Sequence, residues 1–320
     1  PDGRGMEVRM RYIKELYEGE NIREVYYCRQ TSCLTAKTGK NYYALVLADK
    51  TGTIDGKVWN ITSGIEHYEA GDFIKVEGSV TTFQNKPQLN INRIVKAREG
   101  EYSPSDYMPS SEYDIEDMYR QLMGYVHSVD EPHLAALLKK LFIDDKDFIK
   151  AFKTHSAAKS MHHGFIGGLL EHTLSVTKLC AGFADHYRLL NRDLLITAAI
   201  CHDIGKISEL SSFPENDYTD EGNLIGHIVM GVEMINDLVK GIDGFPKLLE
   251  NELKHCIVAH HGKLEYGSPK VPAIAEAMAL HFADNLDAKM QSMKELIDGV
   301  DDKATWLGWQ KNFESNVRRT

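Results

Sequence analysis

The stretch CHDIGK (201–206) settles what the larger part of this 320-residue chain is. Apolar residues recur around it at helical spacing, so His202 and Asp203 stand side by side within or at the end of a helix. Lys206 follows three residues later, on the helical face of Asp203. Outward from this doublet the same kinds of side chain recur at His172, His227, His260, His261 and Asp284. The gaps of roughly 23–33 residues suit one or two helices between neighbours, and a bundle can bring inward-facing side chains from several helices to one point. His260 continues the apolar face of Leu249, Leu253 and Cys256, so it points into the core, and Gly262 then ends the helix. Asp284 lies in AIAEAMALHFAD (273–284) on the face of Ala277 and His281, where an unpaired carboxylate would be expensive to bury. A metal would supply its counter-charge. Any one of these residues alone reads as an ordinary hydrogen-bonded side chain; seven together read as a metal site. Imidazole nitrogen with carboxylate oxygen, and no thiolate placed among them, suits borderline to hard divalent cations. In MHHGFIGGLLEHT (161–173), His162 and His163 stand ten and nine residues before His172, too near for another distant ligand and suited to a rim that touches substrate. Glu171 is a candidate acceptor for a ligand histidine.

The N-terminal third has a different pattern. From 24 to 96, Val, Ile, Thr and aromatic residues alternate in short runs, which reads as five strands at 25–34, 42–49, 53–59, 73–80 and 88–96. They are separated by KTGK (37–40), KTGT (50–53), an expected short helix near 61–69, and QNKP (84–87). Five strands with a helix before the fourth is the layout of an OB barrel. Residues 98–111 (REGEYSPSDYMPSS) carry prolines and serines without an apolar period and read as a linker. The expected organisation is multidomain: an all-β OB barrel over 6–97, a linker over 98–111, and an all-α domain of eight to ten helices over 112–320. Residues 1–5 read as a cloning remnant ahead of Met6.

Charge is split along the same line. The chain carries a net −10, but residues 6–100 hold 14 Lys/Arg against 12 Asp/Glu, a net of +2, and residues 101–320 hold 22 against 34, a net of −12. The barrel is therefore the expected binder of a polyanion. Thirteen of the 14 histidines lie after residue 100, which puts the metal or acid–base chemistry in the other part. In the barrel, Tyr42, Tyr43, Trp59 and Phe83 are candidate platforms for bases, and Lys37, Lys40, Lys57 and Lys86 candidate phosphate contacts. Tyr42 and Tyr43 point to opposite faces of a strand, so at most one can be a platform. Five scattered cysteines read as reduced thiols, and no apolar run of membrane-spanning length or signal pattern is present, so the chain reads as cytoplasmic with no membrane partner.

The pattern H…HD…H…HH…D resembles the HD superfamily of metal-dependent phosphohydrolases, through His172 in GGLLEHT, the doublet in CHDIGK and Asp284 in HFADNLD. The resemblance implies two divalent ions. His172, His202, Asp203 and Asp284 would hold the first, and Asp203 would bridge to a second held by His227 with His260, His261 or both. Asp203 and Lys206 would then be catalytic, Lys206 also touching the phosphate, with His162 and His163 on the substrate rim. An OB barrel followed by this HD subtype resembles the YhaM-type 3′→5′ exoribonucleases over nearly the whole length from Met6. That implies Mn2+-dependent removal of nucleotides from the 3′ end of single-stranded RNA, with single-stranded DNA as a further substrate. The residues themselves reach a two-metal phosphohydrolase joined to a nucleic-acid barrel. Two other readings compete: an HD phosphodiesterase or nucleotidase for small cyclic or mononucleotides, and a non-catalytic single-strand-binding protein with a structural metal.

Overall fold

The computed structural model describes residues 10–36, 39–60, 64–84, 86–103, 106–108, 110–159, 164–213, 215–298 and 305–320. They form two compact units, one of Pro1–Pro109 with Phe213–Glu215, the other of Ser110–Ser212 with Asn216–Thr320.

The first unit is a closed five-stranded barrel of β1 (Asn21–Thr35), β2 (Asn41–Asp49), β3 (Gly52–Val58), β4 (Phe73–Phe83) and β5 (Lys86–Lys96), in the order β1-β2-β3-β5-β4. β1 is long enough to pair antiparallel with both β2 and β4, bulging between Cys28 and Gln30, and a parallel β3–β5 pair completes the ring. This is the OB topology. Tyr26, Leu45, Leu47, Ile54, Ile74 and Leu89 fill the interior, as period-2 alternation requires. Gly78, opposite a bulge in β5 at Asn92, has no room for a side chain, because a Cβ there would meet the Asn90 carbonyl group. The turn between β2 and β3 is built on Asp49, whose buried carboxylate accepts hydrogen bonds from the Thr51 backbone (2.7 Å) and hydroxyl (2.6 Å) and from the Ile13 backbone (2.5 Å).

Between β3 and β4 the expected helix is not formed among the described residues 64–69. Ile65 bridges in parallel to Ile94 instead, with Ile94 N–H donating to Gly64 O and Glu66 N–H to Ile94 O, both at 3.0 Å. The backbone groups that a helix would satisfy internally are satisfied by β5, and Ile65 packs against the barrel core. Residues 61–63 of that stretch, like Lys37, lie outside the described residues. Two tyrosines of the segment read as a linker pack on this unit. Tyr102 stacks on Phe73 with ring centroids 3.9 Å apart, and the buried Tyr107 hydroxyl donates to Val25 O at 3.0 Å.

The second unit is helical. α1 (Ile115–Val126), α2 (Pro132–Lys139) and α3 (Lys146–Thr154) each open on an acidic cap, Asp114, Glu131 and Asp145, whose carboxylate accepts from a first-turn backbone N–H. α4 (Gly168–His186), α9 (Lys247–Ala259) and α10 (Ala275–Asp298) pack around α5 (Arg192–Cys201). Residues 194–201 of α5 are all buried, which explains why LLITAAIC is apolar on every side. Between α5 and α9 run α6 (Lys206–Glu209), α7 (Asp220–Leu224) and α8 (His227–Lys240). A short hairpin of β6 (Trp306–Gln310) and β7 (Ser315–Arg318), which the sequence reading did not anticipate, follows α10.

Candidate metal centre

The central helix α5 delivers His202 and Asp203 at its C-terminal end, both fully buried. α4 brings His172, the first turn of α8 brings His227, the end of α9 brings His260 and His261, and the middle of α10 brings Asp284. The fold thus gathers all seven sequence-derived candidates. They form two groups, His172, His202 and Asp284, and His227, His260 and His261, within each of which the donor atoms lie within 4.8 Å of one another. Asp203 stands between them. Its Oδ2 is 3.4 Å from Nε2 of both His172 and His202, while its Oδ1 is 3.5 Å from His227 Nε2 and 3.7 Å from His260 Nε2.

Each histidine is oriented by its other ring nitrogen. Nδ1 of His202, His260 and His261 lies 2.8, 2.7 and 2.9 Å from the carbonyl oxygens of Ala199, Ile257 and Tyr266. Nδ1 of His172 is 2.7 Å from Asp287 Oδ2, and that of His227 is 2.8 Å from Glu209 Oε1. With Nδ1 donating in this way, Nε2 is left as the coordinating atom, an arrangement typical of metal-binding histidines. Glu209 also accepts the His227 backbone N–H at 2.9 Å, which fixes the start of α8. Asp287 is itself held by Ser175 Oγ. Neither Glu209 nor Asp287 was singled out from the sequence. The acceptor candidate from the sequence, Glu171, accepts a hydrogen bond from Ser111 Oγ at 2.5 Å, and the carboxylates that hold Nδ1 of His172 and His227 are Asp287 and Glu209.

The electrostatics suit a cation. Among the described residues, Asp203 Oδ1, His227 Nε2 and His260 Nε2 are buried without a hydrogen-bond partner, and Nε2 of His172 lies 3.2 Å from Nε2 of His202. Polar atoms this deeply buried ordinarily find partners. Burial opposes ionisation of Asp203, yet Lys206 and His202 outweigh it and hold its carboxyl well below the usual range. Burial likewise opposes a charge on His172, but Asp203, Asp284 and Asp287 carry its pKa well above the ordinary histidine value. Burial, reinforced by neighbouring histidines, pushes His260 and His261 down, so both are neutral and able to coordinate. A divalent ion would replace the His172 proton and supply the unpaired atoms. The donor set therefore fits metal.

Lys206 Nζ lies 2.7 Å from Asp203 Oδ2, and although burial opposes its charge, Asp203 keeps its pKa above the usual lysine value. It lines a cleft of ≈ 320 Å³ over the site, together with His172, His261, Tyr266, Asp284 and Asn285. His162 and His163 lie outside the described residues. Glu209→Gln should weaken binding of a cation on the His227 side by about 10–100-fold, since it removes the charge that orients His227. The measurement is manganese affinity by calorimetry, and an unchanged isotherm would remove Glu209 from the site.

A family model described as HD domain matches residues 169–289, and one described as OB-fold nucleic acid binding domain matches residues 24–97. By fold and site the chain joins a single-strand-binding OB barrel to a metal-dependent HD-type hydrolase. It is 36% identical over 269 residues to the 3′-5′ exoribonuclease YhaM of Geobacillus sp. (strain WCH70), covering 83% of this chain and 81% of that protein. It is 35% identical over 286 residues to the 3′-5′ exoribonuclease YhaM of Bacillus velezensis, covering 88% and 89%. The chain belongs to this family of YhaM-type 3′→5′ exoribonucleases. Among solved structures, the second OB-fold domain of replication protein A from Methanococcus maripaludis is similar at 21% identity, covering 29% of this chain and 98% of that one, with a TM-score of 0.24.

Proposed function

We propose that the chain removes nucleotides one at a time from the 3′ end of single-stranded RNA, using two divalent ions, Mn2+ by family resemblance, that share Asp203. The observation that carries the reading is the division of the Asp203 carboxylate. One oxygen faces His172 and His202, and the other faces His227 and His260. His172, His202 and Asp284 would hold one ion, and His227, His260 and His261 the other. Such a pair neutralises charge on a phosphoryl group and makes water a competent nucleophile at neutral pH.

The chain's own residues do the rest. Lys206, held charged by Asp203, adds a positive group at the cleft wall where negative charge develops on the phosphate. By family resemblance, His162 and His163 would contact the substrate. The ligands on α5 and α9 are buried among the helices, and their ring nitrogens are anchored by backbone carbonyls, which limits reorganisation during the reaction. The five free cysteines suit a reducing compartment, and we assign the enzyme to the cytoplasm. Among the described residues no helix is long and apolar enough to cross a membrane.

The barrel supplies grip. Tyr42 and Trp59 stack with centroids 4.6 Å apart, Lys57 Nζ lies 5.6 Å from the Tyr42 ring, and Trp59 and Phe83 are 47% and 60% exposed. Tyr43 packs edge-on to Tyr68 against the core instead. Tyr42 and Trp59 therefore form the platform, with Phe83 at the end of β4 as a further contact. Trp59→Ala, in a catalytically inactive background, should lower affinity for single-stranded RNA by about 10-fold, the scale of one base stack. Filter binding at two salt concentrations reads this directly, and equal affinities would move the binding surface elsewhere. The metal arrangement is tested by titrating metal-free protein with Mn2+. Two equivalents should bind in the wild type and one in His227→Ala, whereas a single equivalent in the wild type would overturn the shared-carboxylate site.

A further inference from the structure

The cleft over the metal centre has a second wall that the proposed ions do not use. Lys263 leads into the turn Leu264–Tyr266, which Gly267 ends with φ +84°. The Tyr266 carbonyl holds His261 Nδ1 at 2.9 Å, and its side chain lines the cleft while remaining 55% exposed. One short turn thus both positions a site histidine and displays an aromatic ring beside it. α10 contributes Asn285, the residue after Asp284, to the same cleft. Its amide makes no hydrogen bond or ion pair among the described residues, whereas Lys206, His172 and His261 are each committed to a partner.

The size of the cleft limits what can occupy it. At ≈ 320 Å³ it lies at the lower end of ligand pockets, about 300–1,000 Å³, and suits one nucleotide better than a run of stacked ones. Aromatic rings bind bases through their faces regardless of base identity, and an amide offers both a donor and an acceptor to a sugar's hydroxyls.

We propose that Tyr266 and Asn285 form the subsite for the 3′-terminal nucleoside, the ring stacking on the base and the amide contacting the ribose hydroxyls. This rests on the exoribonuclease reading above. In that reaction the water oxygen bonds to the phosphorus of the last diester. The bond from phosphorus to the 3′ oxygen of the penultimate nucleotide breaks, and that oxygen takes a proton. The terminal residue leaves as a nucleoside 5′-monophosphate, so the subsite holds the nucleoside of the product. Stacking there places the last diester, rather than an internal one, over Asp203. Phe282, although 56% exposed on α10, is not part of the cleft lining and does not serve this role.

The test compares RNA substrates that differ only at their last residue, with Mn2+ and the full chain. Wild type should remove a base-bearing end about 10-fold more efficiently, in kcat/KM, than an abasic end, the scale of one base stack. Tyr266→Ala should bring that ratio close to 1, and Tyr266→Phe should keep it. Asn285→Ala should likewise erase the preference for a terminal ribose over a terminal 2′-deoxyribose. Metal content should equal that of wild type in Tyr266→Ala, because the backbone carbonyl that anchors His261 is retained. Metal loss in that variant, or a base-dependent ratio that survives it, would overturn the subsite. A wild-type protein that removes no terminal nucleotides at all would instead overturn the exoribonuclease reading on which the subsite rests.

Discussion

Asp203→Asn should lower the rate of RNA hydrolysis by at least about 1,000-fold while leaving the chain folded. Asparagine matches the carboxylate in size, so the packing at the end of α5 is preserved. It lacks the charge, however, and only one of its two terminal atoms can accept. Among the described residues, Asp203 is the one whose two oxygens face both histidine groups, and it also holds Lys206 at 2.7 Å. Its loss would remove the carboxylate that stands between the two histidine groups and free Lys206 at once. Metal catalysis of this kind contributes several kcal/mol, and about 4 kcal/mol corresponds to a factor of roughly 1,000. Metal analysis of the purified variant should show depletion. A variant that retained both full activity and full metal content would remove Asp203 from the centre of the mechanism.

Gly205→Ala should destabilise the helical unit strongly. Gly205 has φ −64° and ψ −20°, ordinary helical values, so glycine is not needed there for its backbone freedom. It is needed for space. A Cβ would run into the His227 carbonyl group and come within 2.7 Å of the Gly231 nitrogen, where α8 crosses. These contacts are backbone and cannot turn aside. Overpacking of this kind costs about 1–3 kcal/mol or more, which for a unit of this size means a melting midpoint lower by about 5–10 °C. The displaced backbone is that of His227, so binding on that side should weaken as well. Gly182→Ala provides the contrast, since nothing lies within 4 Å of its Cβ position on α4, and it should stabilise the helix by about 0.8–1 kcal/mol. Calorimetric melting of the two variants should move in opposite directions. If Gly205→Ala melted like wild type, the close approach of α8 would not constrain the site.

These two cases show what was legible in the sequence and what was not. His202, Asp203 and the scattered histidines could be read because their residue types are uncommon in apolar helical surroundings, and coordination explains all of them together. Gly205 was visible as part of CHDIGK, but its reason, the crossing of α8, is a tertiary fact that no local pattern carries. The orienting carboxylates Glu209 and Asp287 went unread because a single acid on a helix looks like any solvated one. A positional clue existed. Asp287 lies one turn after Asp284 and Glu209 one turn after Lys206, each on the face of a residue already assigned to the site. In the barrel, alternation limited Tyr42 and Tyr43 to opposite faces but could not say which face was exposed. The pairing with Trp59 decided that. The helix expected near 61–69 failed over the described residues because β5 offers that segment's backbone a partner that local propensity does not represent.

One incubation tests the exoribonuclease reading most directly: single-stranded RNA labelled at its 5′ end, mixed with the full chain and Mn2+, with a chelator in the control. The predicted result is a ladder that shortens one residue at a time from the 3′ end, with nucleoside 5′-monophosphates released and no products when the metal is removed. Cleavage at internal positions, products that persist in the chelator, or RNA left intact while a small cyclic nucleotide is hydrolysed would contradict it.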